Sequence, residues 1–418
     1  MNRFVVAPAL VSMLALSACQ TAAVTDLPDA EAPLPPEPAA SVAPPEVPAT
    51  PVFASAVDAL NAYYATIDRS TLPVAPAGPA LPDASQPLTR ILFGSCNNEE
   101  RESPVLARVA EEEADLFIMT GDNVYGDSDS ERGRVLNEPD FDEHRSSFAE
   151  LAARPEFKAV RAAHPMMVAW DDHDYGANDA GSEMPFRIYA EMIHETFWGL
   201  ENDDIGSWPG TYYARTFGPE GQRTQIIVLD TRFFRGPLVR TDEWNAPGKE
   251  RYIPHTGPAA QNMLGAAQWT WLENQLQEPA DVRLIVSSIQ ISTTDGHGYE
   301  HWANMPAERK RLFELIDNTG AEGVVFASGD RHTGFLYKLD DEALPYPVHE
   351  LTSSSLNMSF RDESDERDSA QIGDGYAKTH FGAVNIDWDT RAITLTLNDE
   401  TGDVVRETTF PIPERADE

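Results

Sequence analysis

Four short apolar runs in this chain each stop abruptly at a cluster of polar, reactive side chains, and that pattern confines it to folds whose parallel strands end on one rim. In LFIMTGDNVY, residues 116–125, apolar residues run straight into Thr120, Gly121, Asp122, Asn123, Val124 and Tyr125. ILFG delivers Ser95 and Cys96, PMMVAW delivers Asp171, Asp172, His173 and Asp174, and GVVFASG delivers Asp330, Arg331 and His332. Such a run with a Gly–Asp stop reads as a buried strand carrying a functional group at its C-terminal end, where open α/β sheets place their ligands. Gathered together, these ends offer Cys, Asp, Tyr, His and Arg, the inventory of a site that binds two metal ions and acts on phosphate esters.

Spacing within each cluster assigns roles. In GDxxY, a carboxylate at the strand end can bridge two cations, and Tyr125, three residues on, can return to one of them. A phenolate is a good ligand only for a strongly Lewis-acidic ion such as ferric iron. In WDDHD, Asp172 ligates while His173 donates a proton to a leaving oxygen; in an extended segment Asp171 and Asp174 face the other way, as supporting groups. In GDRH, an extended backbone turns Asp330 and His332 toward the same metal pair, and Arg331 either holds a phosphate oxygen or forms a surface ion pair. A Cys96 thiolate would join Tyr125 and His332 around one soft or ferric ion. Asp172, Asp330 and the shared Asp122 suit a harder second ion such as calcium, magnesium or manganese. Each motif alone also fits a turn or core role; their combination carries the weight.

GDNVY, WDDHD and GDRH, with LDTRFFR, PAERKRL and HELTSSSL, resemble the PhoD-like alkaline phosphatases, a branch of the calcineurin-like metallophosphoesterases. The resemblance covers residues 88–418. It implies a four-layer αββα sandwich and a dinuclear centre, iron(III) with Ca2+ (alternatives Mn2+, Mg2+ and Zn2+). It implies hydrolysis of phosphate esters by a metal-bound hydroxide, with His173 as general acid. It also implies that Asp122 bridges the metals, that Tyr125 binds iron, that Cys96 fills the family's Ser-Cys position, and that Asp330 and His332 are the last ligands. Ser-Cys in place of Asp-x-His, Asp172 in place of Asn, and the His-free SSIQIS near Gln290 fit the PhoD-like branch rather than two-histidine zinc or manganese relatives. Asn357, just past SSSL, is expected on the substrate side. Two other readings share these residues: an envelope lipoprotein that binds phosphate or a phosphodiester polymer without turnover, and a phospholipase-type phosphodiesterase.

The N-terminus has a different purpose. Asn2 and Arg3 precede an apolar run from Phe4 to Leu16, too short to span a bilayer and followed by small residues, as in a secretory signal. LSAC resembles a bacterial lipobox, which would make Cys19 the lipidated first residue of an exported, membrane-anchored protein. Gln20 in the next position implies the outer membrane, facing the periplasm or the cell surface. Residues 20–87, rich in Pro and Ala, read as a tether with one short helix in FASAVDALNAYYATI, whose apolar spacing suits docking on the domain. The only other cysteine, Cys96, has no disulfide partner, which favours a metal thiolate. With 69 Asp and Glu against 31 Lys and Arg, the surface repels nucleic-acid phosphates and excludes a DNA-coating role. The partners expected are a small or polymeric phosphate ester and, through the lipid alone, a membrane.

Between the motifs, helices AAQWTWLENQLQ and PAERKRLFELIDN separate further strand-to-loop junctions. The tail changes period: FGAVNIDWD, AITLTLND and VVRETTFPI alternate apolar and polar residues, as an antiparallel meander does. Helices alternating with two sets of strands predict an α/β domain of two mixed sheets flanked by helices, closed by that meander.

Overall fold

Strands that are apolar on both faces stay dry only if each face is covered. The computed structural model describes residues 53–127, 139–201, 203–247, 249–257, 261–294, 297–359 and 367–414; the signal segment with Cys19 and the tether up to residue 52 lie outside them. In chain order come α1 (Ala56–Tyr64), β1 (Arg90–Gly94), α2 (Pro104–Val109), β2 (Leu116–Thr120), α3 (Asp142–Ala153), α4 (Pro155–Ala163), β3 (Met166–Ala169) and the one-turn α5 (Asp172–Tyr175). Next are α6 (Arg187–Trp198), β4 (Tyr213–Phe217), β5 (Thr224–Val228), the hairpin β6 (Val239–Arg240) and β7 (Tyr252–Ile253), α7 (Gly265–Gln277), β8 (Val282–Val286), α8 (Pro306–Thr319) and β9 (Val324–Ser328). The chain closes with β10 (Phe335–Leu339), β11 (Val348–Thr352), β12 (His380–Asp387), β13 (Ala392–Asp399) and β14 (Val404–Pro411).

One sheet runs β14-β13-β12-β1-β2-β3 and the other β10-β11-β9-β8-β5-β4. Strands β1, β2 and β3 are parallel, with Phe93 opposite Ile118 and Ile118 opposite Met167. In the second sheet β5, β8, β9 and β11 are parallel. The tail forms the expected antiparallel meander, joined to β1 with Phe93 opposite Gly382.

Alternation along the strands builds three cores. Ile91, Phe93 and Ile118 face Ile226, Leu284 and Val325 between the sheets. The other face of the first sheet, with Leu92, Phe117 and Met119, packs under Leu106, Phe148, Phe157 and Ile193 of its helices. Ile227, Ile285 and Phe326 do the same under Trp269, Leu272, Leu312 and Phe313 of α7 and α8. The result is the four-layer αββα sandwich.

The compact unit runs from Phe53, so it includes the stretch from residue 53 to 87 that composition alone assigns to the tether. Tyr64 of α1 is fully buried and stacks on Tyr189 of α6 at 4.6 Å, and Leu72 enters the same core. Beyond it the Ala75 N–H donates to the Phe197 carbonyl at 2.8 Å, and Arg161 Nε donates to the Pro76 carbonyl at 3.0 Å. A Pro-rich segment cannot build a core of its own, but it can lie along one built by others. Strands β4 and β10 and the β6–β7 hairpin also escape the sequence pattern; β4 (YARTF) is an edge strand whose middle residues are only partly buried. Ser103 precedes α2, with Pro104 at the first helical position, and its hydroxyl donates to the Leu356 carbonyl at 3.5 Å.

Truncating Tyr64 to Ala should remove about 3 kcal/mol of unfolding free energy, the usual cost of emptying a buried aromatic site. Denaturant unfolding measures it, and an unchanged midpoint would show that α1 is a mere appendage.

Candidate metal centre

The parallel strands deliver their C-terminal ends to one rim, and sharp turns there aim the side chains. Cys96 (φ 59°), Asp122 (φ 52°), Asp330 (φ 67°) and His332 (φ 53°) all hold left-handed backbone, as does Asp179 (φ 55°). Non-glycine residues avoid that region at a cost of about 1–3 kcal/mol, and such outliers cluster where geometry serves a function. The expectation that Asp330 and His332 lie on extended backbone is therefore corrected: the turn sends them to different places. Gly121 (φ 108°) makes the Asp122 turn possible, since a Cβ there would lie 2.6 Å from the Asp171 Cβ. Gly329 lets the β9 end approach β1, where a Cβ would meet Ser95 Oγ at 2.4 Å.

Asp122 is the meeting point. One of its oxygens accepts from Tyr125 OH at 2.9 Å and from the Cys96 thiol at 3.3 Å, while Tyr125 OH lies 3.3 Å from His332 Nε2. The other oxygen, Oδ1, is buried and has no hydrogen-bond partner among the described residues. Ligand atoms of Cys96, Asp122 and His332 all lie within 4.8 Å of one another, and so, as a second set, do those of Asp122, Asp171, Asp172 and Asp330. Two potential metal positions thus share one carboxylate, the first with thiol, phenol and imidazole donors and the second with carboxylates.

Electrostatics point the same way. Burial, then Cys96 and Asp172, drives the Asp122 carboxyl well above the ordinary carboxylate range. Burial, then Asp171 and Asp172, does the same to Asp330. The Cys96 thiol is pushed up to about 11 by burial, and burial lowers His332 to about 3. Asp172 is the exception: burial works against its charge, but His173 and Arg232 outweigh it and hold it below its usual value. Buried carboxyls crowded this closely resist ionisation unless cations sit among them, and cations reverse that preference. The orphaned Asp122 oxygen and the two donor sets fit a pair of metal ions.

His173 stands at the edge of the acidic set, its Nδ1 held by Asp127 Oδ1 at 2.5 Å and its ring 4.1 Å from that of Tyr125. Burial opposes its charged form, but Asp127, Asp172 and Asp122 raise it well above the ordinary histidine value. Tyr125, Asp172, His173, Asp330, Arg331 and His332 line a cavity of about 200 Å³. Cys96 and Asp122 lie fully buried. Asn357 does not line this cavity: its Oδ1 accepts from the Asn98 N–H at 2.7 Å and its Nδ2 donates to the Asn98 carbonyl at 2.8 Å, so it braces the loop after β1. Asp171 is the supporting group the sequence suggested, though it does not turn away from the site. It caps α5, and its Oδ1 accepts from Ser288 Oγ at 2.6 Å and Arg232 Nε at 2.5 Å.

Several functional residues escape the sequence motifs. Asp127 lies only five residues beyond Asp122 in the same loop, yet nothing in its spacing links it to His173. Arg232, inside LDTRFFR, is fully buried and joins Asp171 to Glu300 (2.6 Å), which Arg235 also holds at 2.8 Å. Arg232→Met would leave both carboxylates buried without their shared cation, and chemical denaturation should register a loss of about 3–5 kcal/mol; a loss below about 1 kcal/mol would mean that the bridge is not a support.

A sequence profile of the PhoD-like phosphatase family matches residues 91–184 and 211–397. Alkaline phosphatase D of Bacillus subtilis (strain 168) is 25% identical over 286 residues, 62% of this chain and 48% of that protein, so the chain spans about half the length of this relative. Among solved structures, that of PhoD superposes with a TM-score of 0.60 at 19% identity, covering 82% of this chain and 72% of that one. The purple acid phosphatase PPD1 from yellow lupin (Lupinus luteus) seeds does so with a TM-score of 0.51 at 11% identity, covering 78% of this chain and 54% of that one. The two structures share the fold, and the profile covers most of the sandwich together with the rim on which the motifs meet: the chain belongs to the PhoD-like phosphatase family.

Proposed function

We propose that this protein is a metal-dependent hydrolase of phosphate esters, working on mono- or diesters in the cavity above Asp172 and Asp330. The observation that carries the reading is the meeting of two donor sets on Asp122. Cys96, Asp122, Tyr125 and His332 would hold an iron(III) ion, for which thiolate and phenolate are apt donors. Asp122, Asp172 and Asp330 would hold a harder ion, Ca2+ by preference over Mn2+, Mg2+ or Zn2+. Bound there, the metals would supply an acidified water nucleophile and positive charge against the phosphoryl oxygens.

The remaining work falls to side chains. Asp127 fixes the His173 ring through Nδ1, which leaves Nε2 to carry a proton to the leaving alkoxide. Its carboxylate, with those of Asp172 and Asp122, keeps the imidazole charged before the transfer. Arg331, on the cavity wall, is suited to hold a phosphoryl oxygen with its fork of donors. A protein that only captured phosphate would have no use for a carboxylate-oriented histidine beside the anion, and this favours turnover over binding alone.

Asp122→Asn should abolish hydrolysis of aryl phosphates and strip both metals in elemental analysis, whereas Cys96→Ser should deplete iron first. His173→Ala should lower kcat by about 10²–10⁴, most steeply for alkyl esters, whose leaving groups need a proton, and least for nitrophenyl esters. Loss independent of the leaving group would refute the general-acid role, and metal-replete protein that hydrolyses neither mono- nor diesters would refute the hydrolase reading.

We further propose that the chain is exported and held at the outer membrane by lipid on Cys19, supported by the LSAC motif and the Pro-rich stretch behind it. No helix among the described residues is long and apolar enough to cross a membrane. Cys19→Ser should move the protein from the membrane to the soluble fraction and abolish labelling with a fatty-acid precursor; retention on the membrane would sink this proposal.

A further inference from the structure

One wall of the cavity is built from residues with no part in the chemistry above: Asn178, Asp179, Arg251 and Tyr299. Arg251 is held rigidly. Its Nη1 donates to Asp179 Oδ2 at 2.9 Å, an oxygen that also accepts from Tyr252 OH at 2.8 Å. Asp179 is itself fixed, its N–H donating to Asp172 Oδ2 at 2.6 Å and its carbonyl accepting from Arg235 Nη2 at 2.6 Å. The Arg251 guanidinium carbon lies 5.4 Å from the centre of the Tyr299 ring, and that of Arg331 lies 4.6 Å from the same ring. Behind them, the N–H groups of Arg251 and Tyr252 donate to the Gly298 carbonyl at 2.8 and 2.7 Å. A Cβ on Gly298 would come within 2.0 Å of the Glu250 nitrogen, so the hairpin and the Tyr299 loop fit edge to edge.

This places an oriented cation on the cavity wall with donors to spare. Arg232 and Arg235 already match Glu300, and Asp179 takes only one Arg251 nitrogen. The remaining Arg251 nitrogens, Nε and Nη2, have no hydrogen-bond partner among the described residues, and its side chain is 31% exposed. Arg251 thus stands as a second guanidinium beside Arg331, in a cavity otherwise lined by Asp172, Asp179, Glu300 and Asp330. Arg251 and its partner Asp179 line the same cavity as His173, the proposed proton donor to the leaving oxygen, and this is the basis for assigning Arg251 to the alcohol part of a substrate.

We propose that Arg251 binds a second anionic group, phosphate or carboxylate, on the alcohol part of the substrate, so that the preferred substrates are phosphate esters with two anionic ends. This rests on the phosphohydrolase reading above. A guanidinium fork fixed before binding loses little freedom on meeting such a group, which is the condition for selectivity rather than mere attraction.

The test compares kcat/KM of the metal-loaded full chain, followed by phosphate release, on propyl phosphate, propane-1,3-diyl bisphosphate and 3-(phosphonooxy)propanoate. The wild type should prefer at least one of the two-anion esters over propyl phosphate by about ten-fold or more, as one charge-assisted contact provides. The better of the two identifies whether phosphate or carboxylate is the matching anion. In Arg251→Met that preference should fall to within about two-fold of unity, and Arg251→Lys, which keeps charge without the fork, should retain part of it. A wild-type preference below about ten-fold, or one that survives in Arg251→Met, overturns the proposal. The wild-type comparison stands even if the variants fold poorly. Failure to hydrolyse any ester, aryl phosphates included, would instead bring down the phosphohydrolase reading beneath it, a result distinct from flat selectivity.

Discussion

A buried carboxylate with an unanswered oxygen is expensive, and this chain places one, Asp122, at the centre of its rim. The surroundings deepen the problem: Asp171, Asp172 and Asp330 converge on it, and a buried thiol lies against it. No arrangement of hydrogen bonds within the rim answers so many potential anions. The sandwich can tolerate the cluster because its layers are otherwise dry and tightly packed, and because the cluster is suited to cations. Metal affinity and fold are therefore two aspects of a single electrostatic deficit.

Around that deficit stands a ring of compensation. Arg232 joins Asp171 to Glu300, Arg235 takes the other side of Glu300, and Asp179 links the backbone of the same wall to Asp172. These contacts leave the inner carboxylates available to a metal while neutralising the outer ones. They also bear on the backbone outliers. A residue in left-handed conformation persists only where its neighbours over-determine it; Asp179 lies within this network, and Asp122 and Cys96 are tied to each other beside it.

The layers and the rim were readable from the sequence because both arise from local rules. Apolar runs that stop at a Gly–Asp pair mark strand ends, and period-two alternation marks the meander, so the strands bearing Cys96, Asp122, Asp172 and Asp330 could be named in advance. What escaped depends on three-dimensional coincidence. Asp127 meets His173 through a fold-back of its loop, and Arg232 matters through partners remote in sequence. Asn357 looked available because its side chain is polar and follows a turn, yet both ends of its amide are taken by one backbone residue. Asp330 and His332 were placed at the right strand end for the wrong local reason, since alternation does not operate through a left-handed turn. The apolar spacing of residues 53–67 did signal a helix able to dock on the domain, and Tyr64 joins a core supplied by α6; only the Pro-rich residues behind it, judged by what they can build alone, gave no such sign.

The donors around Asp122 also have an order in time. Cys96 and Tyr125 follow early strands of the first sheet, but His332 and Asp330 follow β9, and the meander that completes the first sheet comes later still. A ribosome releasing this chain exposes half a coordination shell long before the other half exists. Selection of an ion would thus be deferred until the polypeptide is nearly whole, so the ions present when folding finishes, rather than when synthesis starts, would decide what is captured.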